Sequence, residues 1–404
     1  MKNNNQKIST LSSFFKSENI PEESRIILET FDSIVQNIRP LNSKQLQQLP
    51  DNIRALSHQL TDQRSDRRLG YMNDSKQLSS YVRYYTWWNL VRLTRLFANL
   101  PAQAFPNKDG FCLDIGSGPL TVITALYLAR AELRNLKLTW YCLDVSSATM
   151  ALGEDIFLSI MAKIPPAKEW QIIRVKGSFG TKINKKVDFL TCANLLNELD
   201  QAGQLPPEAQ TKKYFELFSQ YCTESAKCLL IEPGIPKAAR TLSLLRQRFI
   251  KIGGQLYAPC THEEECPMNG FKAYTGSKNK WCNFAFTTES APKNLLKLSE
   301  KAKLPKERAT LSFLAASFKR EETSKKEGEN DFLCTVISDE FSLPFHKKGN
   351  YACSSSGLIL LRKSESEKRK FSSGDILKTE TPDFSKSKKD EKSGALIIEA
   401  SSAQ

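Results

Sequence analysis

The 404-residue sequence has no apolar run approaching the ~20 residues of a membrane-spanning helix, and no secretory apolar segment opens it. Association with a membrane is therefore not expected. No acidic side chain precedes Glu18; the Ser, Asn and Lys of the first seventeen residues read as a polar disordered start or a faint transit-peptide-like segment. None of the ten cysteines pairs with another at Cys-x-x-Cys spacing, which speaks against a zinc ribbon. No Gly-Lys-Ser/Thr follows the Gly-Ser-Gly turn at 116–118, so a P-loop is excluded. There is no internal repeat.

What is present describes a soluble chain of two or three domains, with 40% hydrophobic and 25% charged residues. Lys and Arg number 58 against 44 Asp and Glu, a net charge of +14 that points to a polyanionic partner such as nucleic acid. Residues 364–404 hold eight basic and eight acidic side chains, so the whole surplus belongs to 1–363. With no secretory signal, the cysteines read as buried thiols or metal ligands rather than disulfides.

The stretch Phe111–Pro119 organises the rest. An apolar strand ends in Asp114-Ile115, a Gly116-Ser117-Gly118 turn follows, and Pro119 suits the first position of a helix. Strand, glycine turn and helix in this order build a nucleotide site at the carboxyl edge of an α/β sheet. The dinucleotide fingerprint fails at its third glycine, where Thr121 stands. An acid two residues before Gly-x-Gly-Pro resembles the first motif of S-adenosylmethionine-dependent methyltransferases, with Asp114 a partner for the methionine ammonium. Further strand–helix alternation predicts strands at 138–145, 171–175, 187–193 and 228–232, and helices at 119–133, 147–163, 208–222 and 237–251, hence a mainly parallel sheet covered on both faces. Asp144 closes the second strand, placed to hold the two ribose hydroxyls or to cap a helix. After the third strand no acid is available to read an adenine amino group, and Ser178 or a backbone carbonyl must substitute. The fourth strand leads into Asn194 and Glu198: Asn194 is a pocket residue, and Glu198 either a base or a solvated cap. No Asn-Pro-Pro-Tyr motif is present there.

Before this region, helices are predicted at 24–39, 51–63 and 74–100. The last carries Tyr81, Tyr84, Tyr85, Trp87 and Trp88, a packing seam with one or two rings free to face the cofactor or an RNA base. After it, Cys260, Cys266 and Cys282 lie among Pro and Trp in a loop-rich stretch, poor core material and good ligands. Cys353, Cys334 and His262 are candidates for a fourth position; Cys334 sits in an apolar strand and reads as core, like Cys112, Cys142, Cys192, Cys222 and Cys228. Four thiolates suit zinc and iron–sulfur alike. Residues 271–308 hold nine Lys/Arg against three Glu, with Tyr274, Trp281, Phe284 and Phe286 interleaved: a phosphate-tracking surface with stacking rings, or a solvated face. The expected domains are helical 1–103 (1–20 disordered), 104–254, a Cys-rich extension 255–363, and a disordered tail 364–404.

Taken together, Tyr71-Met72-Asn73-Asp74, Ser80–Tyr85, Asp114–Pro119, Ala193–Leu199, Leu230–Pro236, Leu256–Cys260, Cys266-Pro267, Trp281–Phe284 and Cys353 before Gly357 resemble the methyltransferase-like proteins of the small ribosomal subunit. That family includes mitochondrial assembly factors and bacterial members. The resemblance implies a class I, Rossmann-like methyltransferase fold with a helical N-terminal domain and a Cys-rich, strand-containing extension. It implies S-adenosylmethionine at Asp114, Gly116, Ser117, Gly118, Pro119, Asp144, Ser178 and Asn194. It implies a [4Fe–4S] cluster on Cys260, Cys266, Cys282 and Cys353, with structural zinc as the alternative. The partner implied is small-subunit ribosomal RNA, the expected state a monomer, and the location the bacterial cytoplasm or, alternatively, the mitochondrial matrix. Asn283 departs from the family, which commonly has histidine there, and the gap from Cys282 to Cys353 is longer and more charged.

Overall fold

In the computed structural model, residues 6–61, 72, 74–199, 205–271, 280–321, 331–364, 368–382 and 388–401 are described. The apolar runs become a central sheet whose strands are numbered here β1 (Gly110–Ile115), β2 (Leu138–Asp144), β3 (Gln171–Lys176), β4 (Val187–Ala193), β5 (Cys222–Glu232), β6 (Gln255–Ala258), β7 (Phe284–Thr287) and β8 (Arg308–Ser317). Their order is β3-β2-β1-β4-β5-β8-β6, with β7 paired to the start of β8. Strands β1 to β5 run parallel, and β8 runs antiparallel to both β5 and β6.

Alternate residues of each strand feed two cores. Cys112, Trp140, Cys142 and Phe189 face one side, with the helices Thr121–Ala129 and Ser147–Lys163. Leu113, Leu143, Leu190 and Leu230 face the other, with the helices Pro207–Tyr221 and Pro236–Lys251. Each of these leucines is at most 1% exposed, burial that stabilises by roughly 1.5–3 kcal/mol per side chain. The arrangement is a class I methyltransferase-like α/β fold with a helical N-terminal part and additional C-terminal strands.

The N-terminal helices are Glu22–Glu29, Phe31–Ile38 and Ser43–Thr61, followed by a rod in which Ser75–Ser80, a π-helical segment Tyr81–Thr86 and Trp87–Phe97 run on without a break. The predicted helix 24–39 is thus divided at Thr30, and the helix predicted at 51–63 begins at Ser43, with Pro50 inside it. Trp87 donates its indole N–H to the Leu28 carbonyl (2.7 Å) and Trp88 to Ser299 Oγ (3.1 Å), so the aromatic seam ties this region to the chain on both sides.

Two expectations are corrected. The central sheet does not end at 254, because β6 and β8 complete it. Nor are the chain ends disordered where they are described: a second sheet runs in the order Gln6–Lys7, Leu396–Ser401, Gly357–Ser364, Lys347–Ser354, Asp331–Val336, Asp375–Glu380, Ser9–Ser13, with Phe341–Leu343 beside Lys347–Ser354. Short polar segments cannot bury enough surface to fold alone. Here they gain ladder hydrogen bonds from an existing sheet and bury Ile8, Leu377 and Ile398 against it.

Candidate functional site

Strand order reverses between β1 and β4, which lie side by side while the chain reaches β4 only after β2 and β3. A crevice at the carboxyl ends of such strands is where open α/β sheets take ligands. Asp114 and Thr191 face each other across this pair, and the Thr191 hydroxyl donates to Asp114 Oδ1 at 2.7 Å. The Asp114 side chain is fully buried, and its Oδ2 has no partner. Burial pushes its carboxyl up to about 7; the Thr191 and Ser117 hydroxyls oppose the rise, and the nearby Asp144 adds to it.

The glycine turn takes its shape from positive backbone angles, φ +70° at Gly116 and +49° at Gly118, which cost glycine little. Leu120 also sits at φ +54°, so the helix opens at Thr121 and not at Pro119. Ser117 is buried, its hydroxyl donating to the Asp114 carbonyl (2.7 Å). Asp144 accepts the Gly118 N–H (2.9 Å) and the Ser146 N–H (2.8 Å), while Ser146 itself caps the following helix. The cap alternative for Asp144 is thereby taken by Ser146, and Asp144 instead ties the second strand to the glycine turn. Burial raises the Asp144 carboxyl against those two N–H donors. The missing third glycine has a counterpart on the next helix. A Cβ at Gly153 would stand 2.3 Å from the Pro119 carbonyl carbon, so only glycine lets that helix ride against the turn.

Ser178 is exposed beyond β3; the adjacent Gly177 N–H donates to the Asp144 carbonyl (3.0 Å), keeping this loop at the same sheet edge. Asn194 follows β4 at φ +57°, and its amide oxygen accepts from Arg92 Nη2 (3.1 Å). Glu198 lies on the short helix Leu196–Leu199 and lines a cavity shared with Asn194 and Arg92. In the sequence Glu232 stands only as the end of its strand. It is fully buried and accepts the Leu196 and Asn197 N–H groups (2.9 and 3.2 Å), holding the loop after β4 to the end of β5. Burial pushes its carboxyl up to about 8, against the donating N–H groups. An acid ending an apolar strand beside Pro-Gly was the available signal.

The four cysteines converge from separate segments: Cys260 after β6, Cys266 in the loop beyond it, Cys282 before β7, and Cys353 in the second sheet. Burial raises the Cys282 thiol, and the thiols of Cys266, Cys260 and Cys353 raise it further; Cys353 responds in the same way to Cys260 and Cys266. The Cys260 thiol is pushed up to about 11 by burial, with Arg246 pulling the other way. Arg246 is 2% exposed and donates from Nε to Cys260 Sγ (3.2 Å) and from Nη2 to the His262 carbonyl (2.7 Å). His262 Nε2 lies 3.2 Å from Cys353 Sγ, and its Nδ1 is buried without a partner. Among the described residues no three His, Cys, Asp or Glu side chains form a group that would hold a metal ion. Cys334 is 1% exposed within its strand, and Cys112, Cys142, Cys192, Cys222 and Cys228 are buried in the central sheet.

Among the described residues of 271–308, the rings do not form an exposed stacking surface. Phe284 and Phe286 turn into the core against Phe14, Phe15 and Phe313, and Trp281 donates to the Gly234 carbonyl (3.0 Å). Lys272, Tyr274 and Lys278 lie outside the described residues, as do Tyr71 and Asn73.

Comparison with solved structures finds methyltransferases at low identity. A ribosomal protein L11 methylase from Lactobacillus delbrueckii subsp. bulgaricus is 12% identical, covering 58% of this chain and 78% of that one (TM-score 0.29). A methyltransferase from Pyrococcus furiosus is 13% identical over 54% and 79% (TM-score 0.29). A precorrin-6y C5,15-methyltransferase from Geobacter metallireducens is 10% identical over 63% and 95% (TM-score 0.31). A comparison with curated proteins gives no match. The sequence model of one family matches residues 90–335, which take in the glycine turn, Asp144, Asn194, Glu232 and three of the four converging cysteines but not Cys353. With more than half of its length matched, this chain belongs to the family described as mitochondrial small ribosomal subunit Rsm22.

Proposed function

We propose that the protein is an S-adenosylmethionine-dependent, methyltransferase-like factor that binds small-subunit ribosomal RNA and acts on it during assembly of the small subunit and translation. The observation that carries this reading is the buried, unpartnered Asp114 Oδ2 beside a glycine turn at the switch point of the sheet. That oxygen suits a ligand ammonium, and pairing with one restores the charge that burial disfavours. Gly116 and Gly118 let the ligand approach the backbone, Ser117 and Pro119 shape the turn, and Asp144 can take ribose hydroxyls. Ser178 and Asn194 close the same edge. When bound, S-adenosylmethionine would supply an electrophilic methyl group to a nucleophilic acceptor on the RNA, which would give up a proton in exchange. The chain's contribution is positioning, with Glu198 the nearby carboxylate for that proton. The family description and the net charge of +14 support the ribosomal RNA partner, and that description favours the mitochondrial matrix over a bacterial cytoplasm.

Cys260, Cys266, Cys282 and Cys353 fit a [4Fe–4S] cluster in the chemistry of their donor set, with structural zinc as the alternative. When bound, such a group would tie β6, β7 and the second sheet together through metal–thiolate bonds. Arg246 offsets thiolate charge in this buried place.

Two observations favour a second reading, a non-catalytic factor docking on RNA. Leu195 lies against Gly116, its atoms 3.1–3.2 Å from where a Cβ would stand, and the Asn194 amide is already engaged by Arg92. Calorimetry with S-adenosylmethionine on wild type, Asp114→Ala and Asp144→Ala tests the pocket; no heat from wild type leaves only the docking role. Methyl transfer from labelled S-adenosylmethionine to isolated small subunits decides catalysis. Anaerobic purification with iron and sulfide analysis decides the metal, and a colourless protein with stoichiometric zinc overturns the cluster.

A further inference from the structure

A cavity of about 430 Å³ opens between the N-terminal rod and the carboxyl ends of β4 and β5. Its walls include Tyr81, Tyr84 and Tyr85, Arg92, Asn194 and Lys306. The three tyrosines come from the π-helical segment, whose extra residue per turn shifts the faces of the helix and is a recurrent feature of functional sites. Tyr81 and Tyr85 stack with centroids 5.4 Å apart at 26°, and both rings are half-buried. Tyr84 is fixed edge-on to Tyr85 and donates to the Leu304 carbonyl (3.1 Å).

Two cations share this space. Arg92 is held by the Thr310 carbonyl (2.9 Å) and by the amide oxygens of Asn89 (3.0 Å) and Asn194 (3.1 Å), and its Nε is buried without a partner. Lys306 stands at the mouth, with Nζ 5.2 Å from the Trp88 ring centre and 5.9 Å from that of Tyr84. Although the Lys306 side chain is exposed, partial desolvation of its head group beside the rings lowers the ammonium to about 8, and repulsion from Arg92 adds to the fall. An anion between the two cations would relieve that repulsion. On the floor, Asn197 Oδ1 is buried and unpartnered, an acceptor for an N–H at the edge of a base. Stacking rings, paired cations and an amide acceptor together select an aromatic ring joined to a phosphate.

We propose that this cavity holds one nucleotide of single-stranded RNA, with the phosphate between Arg92 and Lys306 and the base on the Tyr81–Tyr85 face. The pocket rests on the RNA-binding reading above and places the acceptor beside β4, the strand next to the glycine turn.

The test uses the full-length protein and three probes: a decauridylate, an abasic ten-mer with the same phosphates, and inorganic phosphate. Affinities are measured at fixed salt for wild type, Lys306→Met, Lys306→Arg and Tyr85→Ala, with thermal melts as folding controls. Tyr85→Ala should weaken decauridylate ~5- to 160-fold, the worth of one stacked base, and leave the abasic strand unchanged. Lys306→Met should weaken both strands, and Lys306→Arg should restore them. If all variants bind decauridylate as wild type does, RNA is held elsewhere and the pocket falls while the RNA reading stands. If wild type binds neither strand, both fall. If inorganic phosphate competes fully with decauridylate and Tyr85→Ala is silent, the site is a simple anion site and the nucleotide assignment is overturned. An acidic peptide that displaces decauridylate from wild type, but not from Lys306→Met, would make it a protein-binding surface and overturn it equally.

Discussion

The glycine turn and the cysteine cluster are built in opposite ways. The turn is contiguous: Asp114 to Pro119 occupy six successive positions, and the neighbouring strands add Thr191 and Asp144 at registers fixed by the sheet. The cysteines span 93 residue steps from Cys260 to Cys353 and are carried by the ends of β6 and β7, the loop between them and the second sheet. A contiguous site inherits its geometry from local backbone preference. An assembled one depends on every element that carries a ligand, so the two should fail differently.

The largest effect expected is from loss of the proposed metal. Stripping it with a chelator, or substituting Cys282→Ser, should destabilise the protein by about 4–5 kcal/mol or more, as loss of a structural metal does. S-adenosylmethionine heats should survive this at low temperature if the turn is independent; their loss would show the two regions to be one unit. Gly153→Val sharpens the opposite side. Its side chain would collide with the Pro119 backbone, costing about 1–3 kcal/mol or more and weakening S-adenosylmethionine while iron content stays unchanged. Glu232→Ala removes the acceptor for two loop N–H groups, and each buried N–H left unpaired costs about 1–3 kcal/mol by urea denaturation. Its effect should appear in RNA affinity before iron content, because that loop lines the cavity beside Arg92.

The pH dependence gives a smaller signal. Asp114 and Glu232 rise from ordinary values of 3.8 and 4.5 to about 7 and about 8 on folding. The folded state then holds protons that the unfolded state has lost. Their contribution is complete below the ordinary values and declines as pH climbs to 7–8, with a slope of up to about 1.4 kcal/mol per pH unit for each group. Asp114→Asn should flatten the decline below pH 7 and Glu232→Gln should flatten it up to pH 8, as read by denaturation midpoints across the range. Saturating S-adenosylmethionine should flatten the Asp114 component in wild type, since a paired ammonium holds that carboxylate ionised. Arg246→Met is distinguished by redox rather than by stability: it should lower the midpoint potential of the reconstituted cluster, one buried cation having been removed from its surroundings.

Much of the central sheet was legible because apolar strands ending in Asp114, Asp144 and Glu232 carry their own punctuation. The glycine turn was legible for the same reason, although Leu120 delays the helix by taking a positive φ that nothing in Pro119-Leu120 announces. The partner of the turn was not: Gly153 lies on another helix, and its need for a bare Cα exists only once Pro119 is pressed against it. Phe284 and Phe286 misled in the other direction. Beside lysines they look like a stacking surface, but Phe14 and Phe15 from the other end of the chain turn them into core. The chain ends deceived by composition, since Ser9–Ser13 and Leu396–Ser401 become strands only because another edge is there to pair with.

The sequence by itself determined the alternation of strand and helix, the acid before the glycine turn, and the setting of Cys260, Cys266 and Cys282 among Pro and Trp. These are local properties of backbone freedom, apolar periodicity and side-chain chemistry. Tertiary structure alone decided that Asp114 keeps one carboxylate oxygen unpartnered, that Glu232 anchors the loop after β4, and that Arg92 and Lys306 share one cavity with stacked tyrosines. Those depend on burial and on charges brought together from distant positions, and Coulomb and desolvation energies are fixed by distance in space rather than by separation along the chain.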